Sequence, residues 1–184
     1  MTARISEFDV LVPTAIWLVN QGCTDVKASI ARGQGRPPEE QEAELREELL
    51  KSKGFTKLSF APNGPDIIAR DNARIWKVEC KGLSDTPRET GTVRAHFYEA
   101  LAQTVSYYDE PDCEEGSGLK SILRNIHRPD KPIRLVLALP RSDQYQKLLR
   151  DRIKPALRRR LDLWLLIIDP ATKSVDCYDT NREI

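Results

Sequence analysis

Residues 65–82 read PDIIARDNARIWKVECKG and contain two short predicted strands with a tight turn between them. Residues 65–70 and 74–81 have the apolar content of strands, and the Asp-Asn pair at 71–72 is typical of a turn. Two strands joined by so short a connection run antiparallel in a sheet. We therefore expect a β-hairpin in the middle of the chain.

Helices and strands alternate on both sides of this hairpin. We predict helices over residues 5–21, 39–53, 92–108 and 143–160, and further strands over residues 25–31, 55–60, 133–139, 161–168 and 174–178. The last helix is expected to break at Pro155, because the residue before a proline avoids the helical conformation. A loop over residues 116–118 and a short helix to residue 126 are also predicted. The pattern predicts an α/β fold, a three-layer sandwich with a central mixed sheet flanked by helices.

The side chains of the hairpin divide between two faces, because successive residues of a strand point in opposite directions. One face of the second strand is apolar and carries Trp76, Val78 and Cys80. The other face ends with Glu79 and Lys81. Because the strands are antiparallel, Asp66 at the start of the first strand comes beside these two residues. Two carboxylates and one ammonium group are therefore predicted to converge at one edge of the sheet.

Asp66, Glu79 and Lys81 form a set that suits phosphodiester hydrolysis. Two neighbouring carboxylates repel each other unless a cation lies between them. Mg²⁺ or Mn²⁺ prefers such oxygen ligands, and the backbone carbonyl of Cys80 would supply another. The cation would activate water, while Lys81 would face that water or the charge that develops on the phosphate. We predict a metal site made by Asp66, Glu79 and the Cys80 carbonyl, with Lys81 as a catalytic residue.

The same residues resemble a known family. Pro65-Asp66, followed thirteen residues later by Glu79-Cys80-Lys81, is similar to the signature of the PD-(D/E)xK nuclease superfamily, which includes Holliday-junction resolvases, restriction endonucleases and repair exonucleases. The resemblance covers about residues 39–108. It implies a restriction-endonuclease-like sandwich, here as one domain over residues 1–184 with a C-terminal extension over residues 132–180. It also implies a metal-dependent nuclease that acts on DNA in repair, recombination or defence.

Further site residues follow from the resemblance. The exonuclease-like branch carries a Gln and a Tyr four residues apart on the next helix, and Gln103 and Tyr107 match that spacing. They are implied to contact nucleic acid, and Gln103 to support Lys81 or the phosphate. The family also uses an acid from the helix before its first core strand. We favour Glu44 slightly for this position, and Glu7 is its main rival, with Asp9 and Glu42 also open.

The charge of the chain is unevenly distributed. The net charge is +1, but residues 120–160 contain 13 basic and 3 acidic residues, a net charge of +10, against −9 for the remainder. A basic stretch on an acidic protein is typical of a surface that binds polyanions. We therefore predict that this stretch contacts the nucleic-acid backbone, with Arg158, Arg159 and Arg160 as candidate residues.

Several other classes of protein are disfavoured. No apolar run approaches the roughly 20 residues that a membrane span requires, and the four cysteines are scattered without a CxxC pair. We therefore expect a reduced, cytoplasmic protein with no membrane partner. A homodimer is a further expectation, because short nucleases that cut duplex DNA often pair. The alternative function is a non-cleaving nucleic-acid-binding or complex-forming protein on the same fold, which would not need to keep Asp66, Glu79 and Lys81 together.

Overall fold

The computed structural model describes residues 4–30, 36–83, 90–108 and 131–183. The strands are β1 (Asp25–Ala28), β2 (Lys57–Phe60), β3 (Ile67–Arg70), β4 (Ile75–Cys80), β5 (Ile133–Pro140), β6 (Leu163–Asp169) and β7 (Ser174–Tyr178). The helices are α1 (Glu7–Asn20), α2 (Pro38–Leu50), α3 (Thr90–Ser106), α4 (Asp143–Arg152) and α5 (Pro155–Leu161). Within these ranges, no helix has both the length and the apolar composition of a membrane span. The loop and short helix predicted over residues 116–126 lie outside the described residues.

All seven strands belong to one sheet, in the order β2-β1-β3-β4-β5-β6-β7. The central strands β4, β5 and β6 are parallel to one another. On one side β3 runs antiparallel to β4, and on the other β7 runs antiparallel to β6. The edge pair β1 and β2 is parallel, and β1 is antiparallel to β3. The predicted α/β fold with a mixed sheet flanked by helices is confirmed, and β3 with β4 is the predicted hairpin.

The sheet has an apolar core on each face. On one face α1 and α2 cover alternate strand residues, which include Trp76, Val78 and Cys80 as expected. On the other face α3 and α4 cover the intervening residues, among them Leu135 and Leu137 of β5. Central strands of this kind are buried on both faces because helices lie on each side. Consequently Lys77 and Glu79, which belong to the more polar face of β4, are also buried.

The start of α1 is fixed by a capping box. The Oγ atom of Ser6 accepts a hydrogen bond from the N–H of Asp9, and the Asp9 carboxylate accepts one from the N–H of Ser6. Such reciprocal bonds satisfy backbone donors that the first helical turn leaves unpaired. The helix therefore begins at Glu7, and the Glu7 side chain projects from its first turn.

Gly82 brings the first turn of α1 to the end of β4. Ile5 and Leu83 form an antiparallel bridge with backbone N···O distances of 2.8 and 3.0 Å. A Cβ atom on Gly82 would clash with the carbonyl oxygen of Ile5 and lie 2.9 Å from the backbone nitrogen of Glu7. The hydroxyl of Tyr145 donates to the carbonyl of Gly82 at 3.0 Å and holds this segment from the other side. The absence of a side chain at Gly82 thus permits Glu7 and Lys81 to meet.

Candidate active site

The hairpin brings Asp66 to the level of Glu79. Ile67 lies opposite Val78 in the antiparallel register of β3 and β4, so the next pair along the two strands is Asp66 and Glu79. The Oδ2 atom of Asp66 accepts a hydrogen bond from the backbone N–H of Cys80 at 2.7 Å. The backbone of β4 therefore fixes the Asp66 carboxylate at Cys80, between Glu79 and Lys81, as the sequence predicts.

Lys81 lies between two glutamates. Its Nζ atom is 3.1 Å from Oε1 of Glu79 and 3.2 Å from Oε1 of Glu7. The side chains of Lys81 and Glu79 are only 15% and 4% exposed, so these ion pairs are shielded from solvent and gain more than surface pairs do. The ammonium group is thereby held at one position at the end of β4.

Glu7, and not Glu44, is the helical acid that joins this cluster. Glu44 is 41% exposed and forms an ion pair with Arg36 at 2.7 Å, because α2 packs on α1 and directs this residue away from the sheet edge. Of the other candidates, Asp9 is used in the capping box, and Glu42 lines a separate groove beside Phe60. The preference for Glu44 was wrong, and its rival Glu7 takes the position.

Tyr107 holds Glu79 from the opposite side. The Tyr107 hydroxyl donates a hydrogen bond to Oε2 of Glu79 at 2.8 Å, and the tyrosine is buried. The prediction that Tyr107 faces nucleic acid was therefore wrong, because the residue directly after the end of α3 is buried against β4. Both oxygens of Glu79 have fixed partners, Tyr107 on one and Lys81 on the other. Tyr107 is a positioning residue for this carboxylate.

Gln103 lies one helical turn before Tyr107 and is partly buried. Its Oε1 atom is shielded from solvent and has no hydrogen-bond partner among the described residues. This oxygen therefore does not accept a bond from Lys81, which is one of the two functions that the resemblance implies. The other function, a contact with the phosphate, stays a prediction.

We expect Tyr107→Phe to lower the free energy of unfolding by about 2 kcal/mol, because it leaves a buried Glu79 oxygen without its donor. Tyr108→Phe is the matched control, since Tyr108 is 47% exposed and should change stability by less than about 0.5 kcal/mol. Urea unfolding of both variants measures the difference. Equal stabilities of the two variants would show that the bond to Glu79 contributes nothing.

The site has more negative than positive charge. Burial, together with the negative charge of Glu79, raises the pKa of Asp66 to about 8. Burial also raises the pKa of Glu79, although the hydrogen bond from Tyr107 and the charge of Lys81 oppose the change. Burial alone would lower the pKa of Lys81, but Glu7 and Glu79 outweigh it, so the pKa of Lys81 is raised and the ammonium stays charged. Three carboxyl groups thus face one permanent cation.

This donor set fits a divalent cation that keeps part of its water shell. Within the part of the chain that the structure describes, no three His, Cys, Asp or Glu side chains form a complete metal-binding group. Asp66 and Glu79 would therefore contribute two carboxylates, with the Cys80 carbonyl as the expected third oxygen. Mg²⁺ is commonly bound by one or two carboxylates and several waters. The excess negative charge around Asp66 is what such a cation would neutralise.

An open groove leads to Lys81. It has a volume of about 340 Å³ and is lined by residues of the chain before α1, the end of β4 and one face of α3, among them Arg4, Glu7, Lys81, His96 and Glu99. Lys81 therefore has one side on the buried carboxylates and the other on a solvent-filled space. Among the described residues, this groove gives access to Lys81, whereas Glu79 lies on its buried side.

Arg158 does not face nucleic acid. It is 1% exposed, and its guanidinium donates to the backbone carbonyls of Tyr178, Asp179 and Arg182. The prediction for this residue was wrong, because the C-terminal segment folds over α5 and offers it carbonyl oxygens. Arg158 instead holds the end of the chain against the sheet.

Arg159 and Arg160 are exposed but lie away from the cluster. Their helix ends before β6 begins at Leu163, and the strand register places Leu163 level with Lys77 through β5. Four strand residues, roughly 13 Å, separate that level from Lys81. Arg134 of the same basic stretch is buried, and its guanidinium carbon lies 3.9 Å from the centre of the Trp164 ring. The described part of the stretch is therefore not one continuous face, and a contact between Arg159, Arg160 and DNA stays a prediction.

We expect Arg158→Gln to destabilise the protein by about 2–4 kcal/mol, because three carbonyls lose a charged donor in a buried setting. Arg159→Gln, next to it on the same helix, should change stability by less than about 0.5 kcal/mol. Thermal unfolding of the two variants provides the comparison. If both variants unfold at the wild-type temperature, Arg158 does not anchor the C-terminal segment.

Asp66, Glu79, Lys81 and Glu7 come from three separate segments of the chain and meet at the end of β4, next to an open groove. Comparison with known proteins finds no family model, curated protein or solved structure that matches this chain.

Proposed function

We propose that this protein is a nuclease that hydrolyses phosphodiester bonds with the help of Mg²⁺ or Mn²⁺, with DNA as its substrate. The observation that carries the proposal is the position of Lys81. Its ammonium is held between Glu7 and Glu79 at 3.2 and 3.1 Å, beside Asp66 and open to a groove. A fixed cation next to paired carboxylates is the arrangement that phosphoryl-transfer chemistry requires.

The order of elements supports a PD-(D/E)xK core. The family's order of helix, strand, Asp66 strand, Glu79 strand and helix is matched when α1 and β1 take the first two places, instead of α2 and β2 from the range 39–108 over which the sequence resembles the family. In this assignment α2 and β2 form an insertion, and β2 lies at the edge of the sheet, where it can be added without disturbing the centre. We propose on this basis that the α/β sandwich is restriction-endonuclease-like.

Each residue of the cluster has a separate task in the proposed reaction. Asp66, Glu79 and the Cys80 carbonyl would hold the divalent cation, which supplies an activated water and neutralises charge on the phosphate. Lys81 stabilises the negative charge that develops on the phosphate oxygens, because its own charge is fixed in position before the reaction begins. Glu7 holds the Lys81 ammonium, and Tyr107 holds the Glu79 carboxylate.

The proposal is tested by incubating the purified protein with single-stranded, duplex, flapped and branched DNA and with RNA. Each substrate is tested with Mg²⁺, with Mn²⁺ and with EDTA. We expect cleavage of at least one DNA substrate with either cation, no cleavage in EDTA, and loss of cleavage in Glu79→Gln prepared in the same way. Binding to nucleic acid without cleavage of any substrate would instead support the non-cleaving binder.

A further inference from the structure

Gln41 has a polar side chain that is buried in the fold. It lies on α2 and is 2% exposed, whereas its helix neighbours Glu40 and Ala43 are exposed. Its Oε1 atom is shielded from solvent and has no hydrogen-bond partner among the described residues. Buried amide oxygens nearly always accept a hydrogen bond, and leaving one without a donor destabilises the fold. The side chain of Gln41 therefore calls for a donor that is not part of the described chain.

The surroundings of Gln41 identify where that donor would lie. Gln41 lines a small pocket of about 10 Å³, roughly the space that one water molecule needs, together with Glu7, Phe8, Leu11, Ser29, Ile30 and Asp66. Two of these seven lining residues, Glu7 and Asp66, belong to the cluster at the end of β4. The backbone N–H of Ser29 donates to the carbonyl of Asp66 at 2.9 Å, which fixes one wall of the pocket to the cluster. Gln41 thus lines the same pocket as two of the cluster's carboxylate residues, Glu7 and Asp66.

The polar lining of this pocket selects its occupant. The amide oxygen of Gln41 is a hydrogen-bond acceptor, so the group that satisfies it must be a donor. A polar pocket with room for one water molecule can hold it in an ordered position, and that water would donate one of its two hydrogen bonds to Gln41. A divalent cation bound by few carboxylates keeps waters of its own, which hydrogen-bond to nearby oxygens.

We propose that Gln41 is a positioning residue of the cation site, whose amide oxygen accepts a hydrogen bond from a water molecule ordered in the pocket between Gln41, Glu7 and Asp66. This inference rests on the proposed function, because the water is held in place by the cation that Asp66 would bind. Gln41 touches neither the cation nor the substrate. It strengthens cation binding by orienting the water beside it.

The test measures Mn²⁺ affinity by isothermal titration calorimetry for the full-length wild type and for Gln41→Met, which keeps the length of the side chain but removes its amide. We expect the affinity to fall by roughly tenfold, the lower end of the effect of residues that orient a ligand shell. In EDTA the unfolding temperature of Gln41→Met should equal or exceed that of the wild type, because an unpaired polar oxygen has been removed. Gln144→Met, the same change at an exposed position on α4, should alter neither quantity.

The outcomes separate this inference from the proposed function. If the wild type binds Mn²⁺ and cleaves DNA, but Gln41→Met binds Mn²⁺ with unchanged affinity, the inference about Gln41 is overturned and the nuclease proposal stands. If the wild type binds no Mn²⁺ at all, both are overturned. Should Gln41→Met fail to fold, Gln41→Asn replaces it, since it keeps an amide but withdraws the oxygen from the pocket. Wild-type affinity in that variant overturns the inference as well.

Discussion

Replacing Lys81 by methionine is expected to slow DNA cleavage by on the order of 10²-fold or more. The methionine keeps most of the apolar stem of lysine but removes the ammonium that lies 3.1 Å from Glu79 and 3.2 Å from Glu7. A cation that is positioned in advance acts mainly on the charge that develops in the transition state, and loss of one such group costs about 10²–10³ in rate. Binding of DNA should change much less, because the binding step involves many contacts.

Lys51→Met is the matched control for this prediction. Lys51 also pairs with two glutamates, Glu47 at 3.1 Å and Glu48 at 2.9 Å, but it directly follows α2 on the surface, with 58% of its side chain exposed. Surface pairs of this kind contribute little, so the cleavage rate should stay at the wild-type value. Cleavage at the wild-type rate by a folded Lys81→Met variant would remove Lys81 from the mechanism.

The substitution Asp66→Asn is expected to abolish cleavage and to stabilise the protein at the same time. The folded state raises the pKa of Asp66 from its ordinary value of 3.8 to about 8, so between these values the folded protein keeps a proton that the unfolded chain has released. The stability that this proton provides is present at low pH and is lost as the pH rises toward 8. Asparagine has no charge to bury, so we expect a gain on the order of 2 kcal/mol at pH 8 in EDTA.

Urea unfolding in EDTA at pH 5 and pH 8 measures this effect. The wild type should lose stability between the two pH values, and Asp66→Asn should lose less. Asp71 in the same hairpin provides the control with the opposite sign. Although burial opposes the change, hydrogen bonds from Trp76, Ala73 and Arg74 lower its pKa, so Asp71→Asn should destabilise at pH 8. A wild type whose stability rises from pH 5 to pH 8, while Asp66→Asn shows no gain, would contradict the electrostatic account of the site.

The hairpin and its charged residues could be predicted from sequence because they are local. Side chains in strands alternate with a period of two, and the short turn at residues 71–72 leaves one register for the two strands. These two constraints place Asp66 beside Glu79 and Lys81 without any knowledge of the rest of the fold. The apolar run of β5 is similarly direct, since a central parallel strand is buried on both faces.

The remaining site residues depend on contacts between distant segments. Glu7 and Glu44 have the same local signal, an acid on a helix, and the choice between them depends on which helix packs against Lys81, 74 residues from Glu7. Arg158 looks like a surface arginine in a basic run, but the carbonyls that bind it lie 20–24 residues later. Gly82, directly after Glu79-Cys80-Lys81, was a signal in the sequence that could have predicted this contact. A glycine after a strand often marks the close approach of another backbone.

Dependence on distant contacts also explains why the sequence did not predict the burial of Tyr107. Helix α3 and the two residues after it have aromatic and apolar side chains on more than one face, so the sequence alone does not determine which side lies on the sheet. The structure places Phe97 and Tyr107 in the core and leaves Tyr98 and Tyr108 exposed. The buried tyrosine finds its partner in Glu79, a residue whose burial is itself a consequence of α3 covering β4.

The position of a bound cation tests the central claim most directly. Crystals of the wild type grown with MnCl₂ should give one strong anomalous peak at the end of β4, roughly 2.0–2.3 Å from carboxylate oxygens of both Asp66 and Glu79. The same peak should be absent from crystals of Asp66→Asn. An anomalous map of the wild type that shows Mn²⁺ bound only at another position, or no peak between Asp66 and Glu79, would contradict the account. This cluster would then not be the active site of a cation-dependent nuclease.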